Sequence, residues 1–522
     1  MSKVRRFPHV AAECESNDKE SAMAAMPFRI YNTLSRDIED FKPLKEGKVG
    51  LYVCGMTVYD HAHVGHARAM VVFDVFVRYL RHRDWEVNFV RNFTDVDDKI
   101  IHRSADTGEE PIELAERFIK AFHEDGDALG LLRPDHEPRV SECIESIQAL
   151  IGQLIERGNA YVADGTVWFS VETHKSYGKL SGQKVEELRV SADEASGKAA
   201  PADFALWKAV KPGEPSWESP WGAGRPGWHI ECSAMGAQCL GPHFDIHGGG
   251  LDLVFPHHEN EIAQSECGNA SPYANYWMHN GLLTMSSGQK MGKSLGNVIN
   301  VRIALEQFPA EALRLYYLQN HYRSPLPWDA DALPEALAML ARLYEAREVA
   351  EAMGGNENPD AVAESLGQDA QDVLAFGRDF ERQFYEALDS DFNTAKMVGF
   401  LLRLARAINR FANTKKAKKR GGPVVAPALA GFKLVSDALA LMSMDTAAFH
   451  AEVKAKRLKA KGLEQSWVDG KIAERSEARE SKDWGRADAV RTELDEAGIV
   501  VMDTAEGVQW RVRLVAPSEA KG

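Results

Sequence analysis

VGLYVCGMTVYDHAHVGHARAMVVFDVFVRYLRHRDWEVNFVRNF, residues 49–93, changes its apolar period twice. VGLYVCG (49–55) is a continuous apolar run closed by glycine, the pattern of a buried strand. GHARAMVVFDVFVRYLRH (65–82) spaces its apolar residues for a helix, and EVNFVRNF (86–93) alternates as a second strand. Strand, helix and strand within about 45 residues form a βαβ unit and predict a parallel sheet. The first turn lacks GxGxxG, which argues against a nicotinamide-dependent enzyme.

Ahead of this unit, residues 1–26 carry Arg5 and Arg6, but acidic and polar residues stand where a signal peptide needs its apolar stretch. They read as a flexible extension, with Met23 and Met26 as alternative starts. Behind it, residues 111–160 are helical in pattern. Residues 161–227 bring short strands and a Pro/Gly/Trp-rich segment, an insertion that splits the α/β core. FDIH (244–247) and HHENEIAQSE (257–266) resume that core. From 303 to about 450 the chain is rich in Ala and Leu and reads as a helical bundle, interrupted by a basic run, KKAKKRGGP (415–423), with the character of a solvated loop. A charged helical hairpin and a strand, VQWRVRLV (508–515), close the sequence. A length of 522 residues suggests about three domains. No apolar run reaches the roughly 20 residues that span a bilayer, and six cysteines are too few for a disulfide scaffold. The expectation is a cytoplasmic protein without a membrane partner. A net charge of −15 opposes indiscriminate nucleic-acid binding but allows a local basic face.

Three groups of residues carry chemistry. His63-Val64-Gly65-His66 lies at the turn into the first helix, where glycine permits close approach, the helix N–H groups favour an anion and two imidazoles can donate to an α-phosphate. Lys290-Met291-Gly292-Lys293-Ser294 sits in a Gly/Ser-rich loop, and its two lysines can close over a triphosphate. Together the two motifs resemble the HIGH and KMSKS signatures of class I aminoacyl-tRNA synthetases. In the third group, Cys54 ends the first strand, Cys232 lies in GWHIECSAM, and His257 and Glu261 lie four apart after Pro256, which suits a first helical position. Two thiolates, an imidazole and a carboxylate suit Zn²⁺, with His258 as an alternative ligand.

The resemblance narrows to cysteinyl-tRNA synthetases over residues 28–515, through LYVCGMTVYDHAHVGHAR, NFTDVDDKI, GWHIECSAM, FDIHGGGLDLVFPHHENEIAQSE, KMGKS, EALDSDFNTAK and ARESKDWGRADAVRTELDEAGIVVMDT. It implies an α/β fold. A Rossmann-like class I catalytic domain (27–285, split at about 161–227) is followed by a KMSKS loop and stem-contact region (286–340). A helical bundle binding tRNA (341–450) and a small C-terminal anticodon-binding region (451–522) complete the chain. It further implies that Cys54, Cys232, His257 and Glu261 hold one zinc ion to which the substrate thiolate binds. Thr57 and Trp228 complete the substrate pocket with Cys54. ATP would be contacted by His63, Gly65, His66, His247, Gly248, Gly249, Asp252 and Lys293. The catalytic residues would be His63, His66, Lys290 and Lys293, the cofactors Zn²⁺ and Mg²⁺ with ATP, and the partners L-cysteine, ATP and cysteine tRNA, bound by a monomer. Anticodon recognition would fall to the bundle and tail, where Trp484, Arg486, Trp510 and Arg511 offer stacking and charge.

Two departures stand out. Gly292 occupies the position where the family loop has serine, and four protein ligands exceed the three of most catalytic zinc sites. A metal would separate cysteine from serine where shape alone is worth only about 1–3 kcal/mol, so no editing module is expected. A cysteine ligase acting on a small amine in mycothiol synthesis resembles the same core, but that family lacks the tail matched here at 465–515. A silent paralogue would have lost part of the phosphate machinery, and a zinc hydrolase would carry HExxH.

Overall fold

The computed structural model describes residues 27–185, 197–285, 299–329, 331–504 and 507–514. Its core is a parallel sheet of β1 (Lys48–Val53), β2 (Glu86–Arg91), β3 (Phe244–Gly250) and β4 (Ala274–Asn280), in the order β4-β3-β1-β2. The register sets Leu51 between Phe89 and Ile246. Both faces are covered, so Val49, Leu51, Tyr52 and Ile246 are buried, which explains the unbroken apolar run in β1. The crossover α1 (Val64–His82) buries Val71, Phe73, Val75, Phe76 and Val77. It also buries Asp74, which is held by Arg314 at 2.7 Å.

α2 (Trp228–Leu240) and α3 (Glu259–Asn269) flank β3 in sequence. The regular helix α3 begins later than Pro256 predicts. Phe255 is extended (φ −139°, ψ 133°), the Phe255–Pro256 peptide is cis, and His257 and His258 occupy a wide turn ahead of Glu259. Between β2 and α2 the chain builds a separate antiparallel sheet from Ala160–Ala163, Thr166–Phe169, Phe204–Ala209 and Gly224–Pro226, paired in sequence order.

Beyond the core, helices Ala332–Glu351, Gln368–Leu388, Thr394–Phe411 and Gly422–Leu439 pack as a bundle. The basic run is not a loop. Lys415–Arg420 forms a short helix capped by Thr414, because its alanine and lysines favour that conformation and Ala417 is buried beneath it. Gly422–Leu439 is long and apolar enough to cross a membrane. In this fold it sinks Val424, Val425, Phe432 and Val435 into the bundle and pairs Lys433 with Asp437 on its outer side. The tail is a helical hairpin, Gln465–Glu480 and Trp484–Glu496, followed by antiparallel strands Ile499–Thr504 and Gly507–Val512.

The bundle meets the core through Asp389 and Asp391. Tyr79 donates to Asp389 at 2.5 Å and Arg83 pairs with it. Asp391 accepts from the backbone of Tyr31 (2.9 Å), the Tyr322 hydroxyl (2.8 Å) and the Arg323 guanidinium. Asp391 and Phe392 are left-handed (φ 56° and 47°), and the Phe392 ring is fixed edge-on against Phe76 of α1.

Candidate active site

The carboxyl ends of the four strands open on a cavity of about 350 Å³, where ligands of open α/β sheets bind. Cys54, Thr57, Trp228, Cys232 and His257 line it, and so do His63, Gly65, His66 and Asp252. The sequence separates these residues by up to about 200 positions, and the sheet gathers them at one edge.

His63 is the N-cap of α1. Its Nδ1 accepts from the N–H groups of Gly65 (3.1 Å) and His66 (3.2 Å), while Nδ1 of His66 accepts in return from the His63 N–H (3.4 Å). The rings stack at 3.6 Å and 19°. This is a capping box built from two histidines. Because both Nδ1 atoms accept, the neutral rings carry their proton on Nε2. A Cβ on Gly65 would stand 2.9 Å from the His63 ring, so glycine is what allows the ring to fold over the helix end. From the sequence, these N–H groups are expected to meet a phosphate. Here His63 takes those of Gly65 and His66, and Ile299 O takes that of Val64 at 3.0 Å.

Glu261 centres the donor cluster. Its Oε1 lies 3.0 Å from Nε2 of His257 and 3.6 Å from Sγ of Cys54, and its Oε2 lies 2.9 Å from Nε2 of His247. Cys54 Sγ is also 3.7 Å from Cys232 Sγ and 3.4 Å from His258 Nε2. Donor atoms of Cys54, His257, His258 and Glu261 all fall within 4.8 Å of one another. His257 and His258 are thus both within reach, and position in sequence does not choose between them.

The electrostatics are those of a site arranged for a cation. Burial pushes the Glu261 carboxyl up, but His247 and His257 outweigh it and hold the group well below the usual carboxylate range. Burial lowers the His257 imidazole, yet Glu261 and Cys232 raise it to about 10. The hydrogen bond from Cys54 draws Cys232 down to about 6 against the cost of burial, while burial and that same bond push Cys54 up. The shifts favour negative charge on Glu261 and Cys232 and positive charge on His257, side by side in a buried pocket.

Outer partners orient the imidazoles. His257 Nδ1 meets His229 Nδ1 at 3.0 Å, and His258 Nδ1 meets His279 Nε2 at 2.8 Å. His279 reaches Thr33 in turn, at 2.8 Å. Tyr273 donates to Glu261 (3.3 Å) and to Cys232 O (2.9 Å). Sequence reasoning passed over His229, Tyr273 and His279. The one available signal was a polar residue closing a buried strand, as His279 does in YWMHN (276–280). Trp228 stacks on His257 (4.4 Å, 18°) with 37% of its surface exposed, so its ring borders both the cluster and the cavity. Thr57 is held by a backbone bridge to Thr94, whose hydroxyl donates to the buried Glu231.

The glycine run, expected to contact ATP, is closely packed along β3. His247 is fully buried and its side chain serves Glu261, away from the cavity. A Cβ on Gly248 would strike Phe73 of α1 at 2.4 Å, and one on Gly249 would meet His258 at 2.8 Å. These glycines let β3 lie against α1 and the histidine turn, while Gly250 and Asp252 reach the cavity wall. Lys290 and Lys293 lie outside the described residues.

The model of the family described as "tRNA synthetases class I (C) catalytic domain" matches residues 40–338. "DALR domain" matches 383–424 and "Cysteinyl-tRNA ligase anticodon binding domain" matches 472–511. A cysteine–tRNA ligase from Alkalilimnicola ehrlichii is 49% identical over 93% of this chain and 99% of its own length. One from Methylococcus capsulatus is 48% identical over the same shares. Among solved structures, a methionyl-tRNA synthetase from Mycobacterium tuberculosis shares the fold at TM-score 0.56 and 14% identity, over 75% of this chain and 92% of its own. With half its sequence in common with those ligases, matched from end to end of theirs, the chain belongs to the cysteine–tRNA ligase family of class I aminoacyl-tRNA synthetases and is a ligase enzyme.

Proposed function

We propose that this enzyme activates L-cysteine with Mg²⁺-bound ATP and transfers it to the 3′-terminal adenosine of cysteine tRNA, with zinc selecting the thiolate. The observation that carries the reading is the opening of one cavity onto both the histidine-capped helix and the thiolate–carboxylate cluster. The donor set fits zinc: Cys54 sulfur, the imidazoles of His257 and His258 and the Glu261 carboxylate converge within 4.8 Å, and Cys232 Sγ lies 3.7 Å from Cys54 Sγ. Cys54, Cys232, His257 and Glu261 would hold the ion, with His258 as the alternative imidazole. When bound, zinc supplies a centre that deprotonates a coordinating thiol and discriminates against a hydroxyl.

The chain's own residues do the rest. The cysteine carboxylate attacks the α-phosphate and pyrophosphate leaves. The Nε2–H groups of His63 and His66 donate to the charge that builds there, with Lys290 and Lys293 neutralising the leaving group. Trp228 covers the side-chain end of the pocket, and Thr57 lies beside Cys54 to orient the amino acid. A ribose hydroxyl of the terminal adenosine then attacks the acyl carbon and AMP departs. No protein nucleophile is required, because positioning and preset dipoles supply the rate.

Charging of a cysteine-tRNA transcript with labelled cysteine tests the reading, run beside Cys232→Ser and after zinc removal by a chelator. Charging by the parent, lost in the variant and restored to the stripped parent by zinc, is the expected result. ATP–pyrophosphate exchange without tRNA charging would replace this function with small-amine ligation.

A further inference from the structure

The turn and helix that carry His257, His258 and Glu261 also carry Glu259, whose side chain points elsewhere. Glu259 is fully buried, and among the described residues no cation pairs with it. Its carboxylate is held by three backbone N–H groups of the inserted segment: Gly178 at 2.9 Å on Oε1, and Leu180 at 3.1 Å and Ser181 at 2.7 Å on Oε2. The loop is shaped to converge those donors. Gly178 is left-handed (φ 92°) and a Cβ there would lie 2.1 Å from Gln183 O, while Gly182 N–H closes the turn on Gly178 O at 2.7 Å. Such a concavity of N–H groups is an anion nest, and here its anion is a side chain of the same chain. Two further bonds flank it: Tyr177 hydroxyl to Asn260 at 2.5 Å, and Lys179 to Glu266 at 2.6 Å.

We infer that Glu259 is a positioning residue that fixes the metal-binding turn by anchoring it to the inserted segment 177–182. The inference rests on the proposed zinc reading. Glu259 lies between two donors, His258 and Glu261, in a stretch that leaves regular helical geometry at Phe255. Regular helical geometry therefore does not fix the turn from its N-terminal side, and the three bonds to Glu259 tie it to the inserted segment. Fixing donors in advance raises metal affinity, and residues in such supporting roles typically cost about tenfold to a hundredfold in affinity when removed. Linkage makes the effect reciprocal: a bound metal must tighten the nest by the factor by which the nest tightens the metal.

The test uses the full chain and zinc alone. Competition against a chromophoric chelator gives zinc affinity for the parent, Glu259→Gln and Glu259→Ala. The alanine variant is expected to bind about tenfold to a hundredfold more weakly, and glutamine, which keeps one acceptor oxygen, to fall between. Hydrogen exchange of segment 177–182 in the parent is expected to slow on zinc binding by a comparable factor. Should Glu259→Ala fail to fold, the double variant Tyr177→Phe, Lys179→Gln loosens the same contact from the loop side and should weaken zinc in the same direction. A parent that binds zinc, with variants equal to it and exchange unchanged, overturns this inference alone. A parent that binds no zinc overturns the metal reading and this inference with it.

Discussion

At His63 the imidazole Nδ1 is committed to the backbone of α1, which leaves the chemistry to the opposite edge of the ring. Capping and catalysis can therefore be separated by substitution. Asparagine is among the best N-cap residues and accepts from the same N–H groups, whereas alanine cannot. His63→Ala should lose about 1 kcal/mol of stability to denaturant, and His63→Asn only a few tenths. Both should lose ATP–pyrophosphate exchange by about 10²–10³-fold, the usual cost of one donor to a developing oxyanion. Retained exchange in the asparagine variant would show that the motif works through helix geometry and that the ring donates nothing. His66 and Gly65 belong to the same unit, since the glycine exists to admit the ring that the second histidine stacks upon.

Between elements, the contact that registers α1 against the strand ends is Arg68, two residues past His66. It is buried and donates to the carbonyls of Leu282 (2.9 Å), Tyr322 (3.2 Å) and Ser324 (2.5 Å). Burial draws its pKa down to about 10, so it remains charged at neutral pH. Arg68→Met keeps much of the volume but takes the charged donor from the Ser324 carbonyl, while Leu282 O and Tyr322 O keep the N–H groups of Leu326 and Gly281; one carbonyl left unsatisfied costs about 1–3 kcal/mol. The variant should unfold at markedly lower urea and show a raised KM for ATP, because Leu282 lines the cavity. An unchanged KM beside lost stability would make Arg68 a fold residue only. This contact also marks where sequence legibility ends. Periodicity is local, so β1, α1 and β2 could be read from 45 consecutive residues, and the motif residues were visible as types at informative spacings. Arg68 meets Ser324 across 256 positions, and Glu259 meets Gly178 across 81. Nothing in the local pattern of either partner names the other. The same limit explains His247. A histidine before three glycines reads as a ligand contact, and only the placement of Glu261 beside it turns the ring inward.

Over the molecule as a whole, the two half-reactions make different demands on the architecture. Every described group assigned to adenylation stands on the parallel sheet, the loops at its edge or the helices α1, α2 and α3, so that step needs the core alone. If the bundle positions the tRNA, as proposed, transfer needs the core and the bundle held in one register, and Asp391 is a main point of that join. Asp391→Asn isolates the effect. Asparagine tolerates the left-handed backbone at this position as well as aspartate does, so no strain is added. It can still accept from Tyr31 and Tyr322 but loses its charge for Arg323, which is 35% exposed and can partly turn to water. The stability cost should therefore be modest, toward the low end of the 1.5–3 kcal/mol typical of a hydrogen bond to a charged group. If about 1.4 kcal/mol of that reaches the alignment of the tRNA acceptor end, kcat/KM for charging falls about tenfold. ATP–pyrophosphate exchange should stay within about twofold of the parent, since that same 1.4 kcal/mol does not enter its transition state. Equal loss in both assays would mean that Asp391 supports the core directly and that the bundle is not the aligning element.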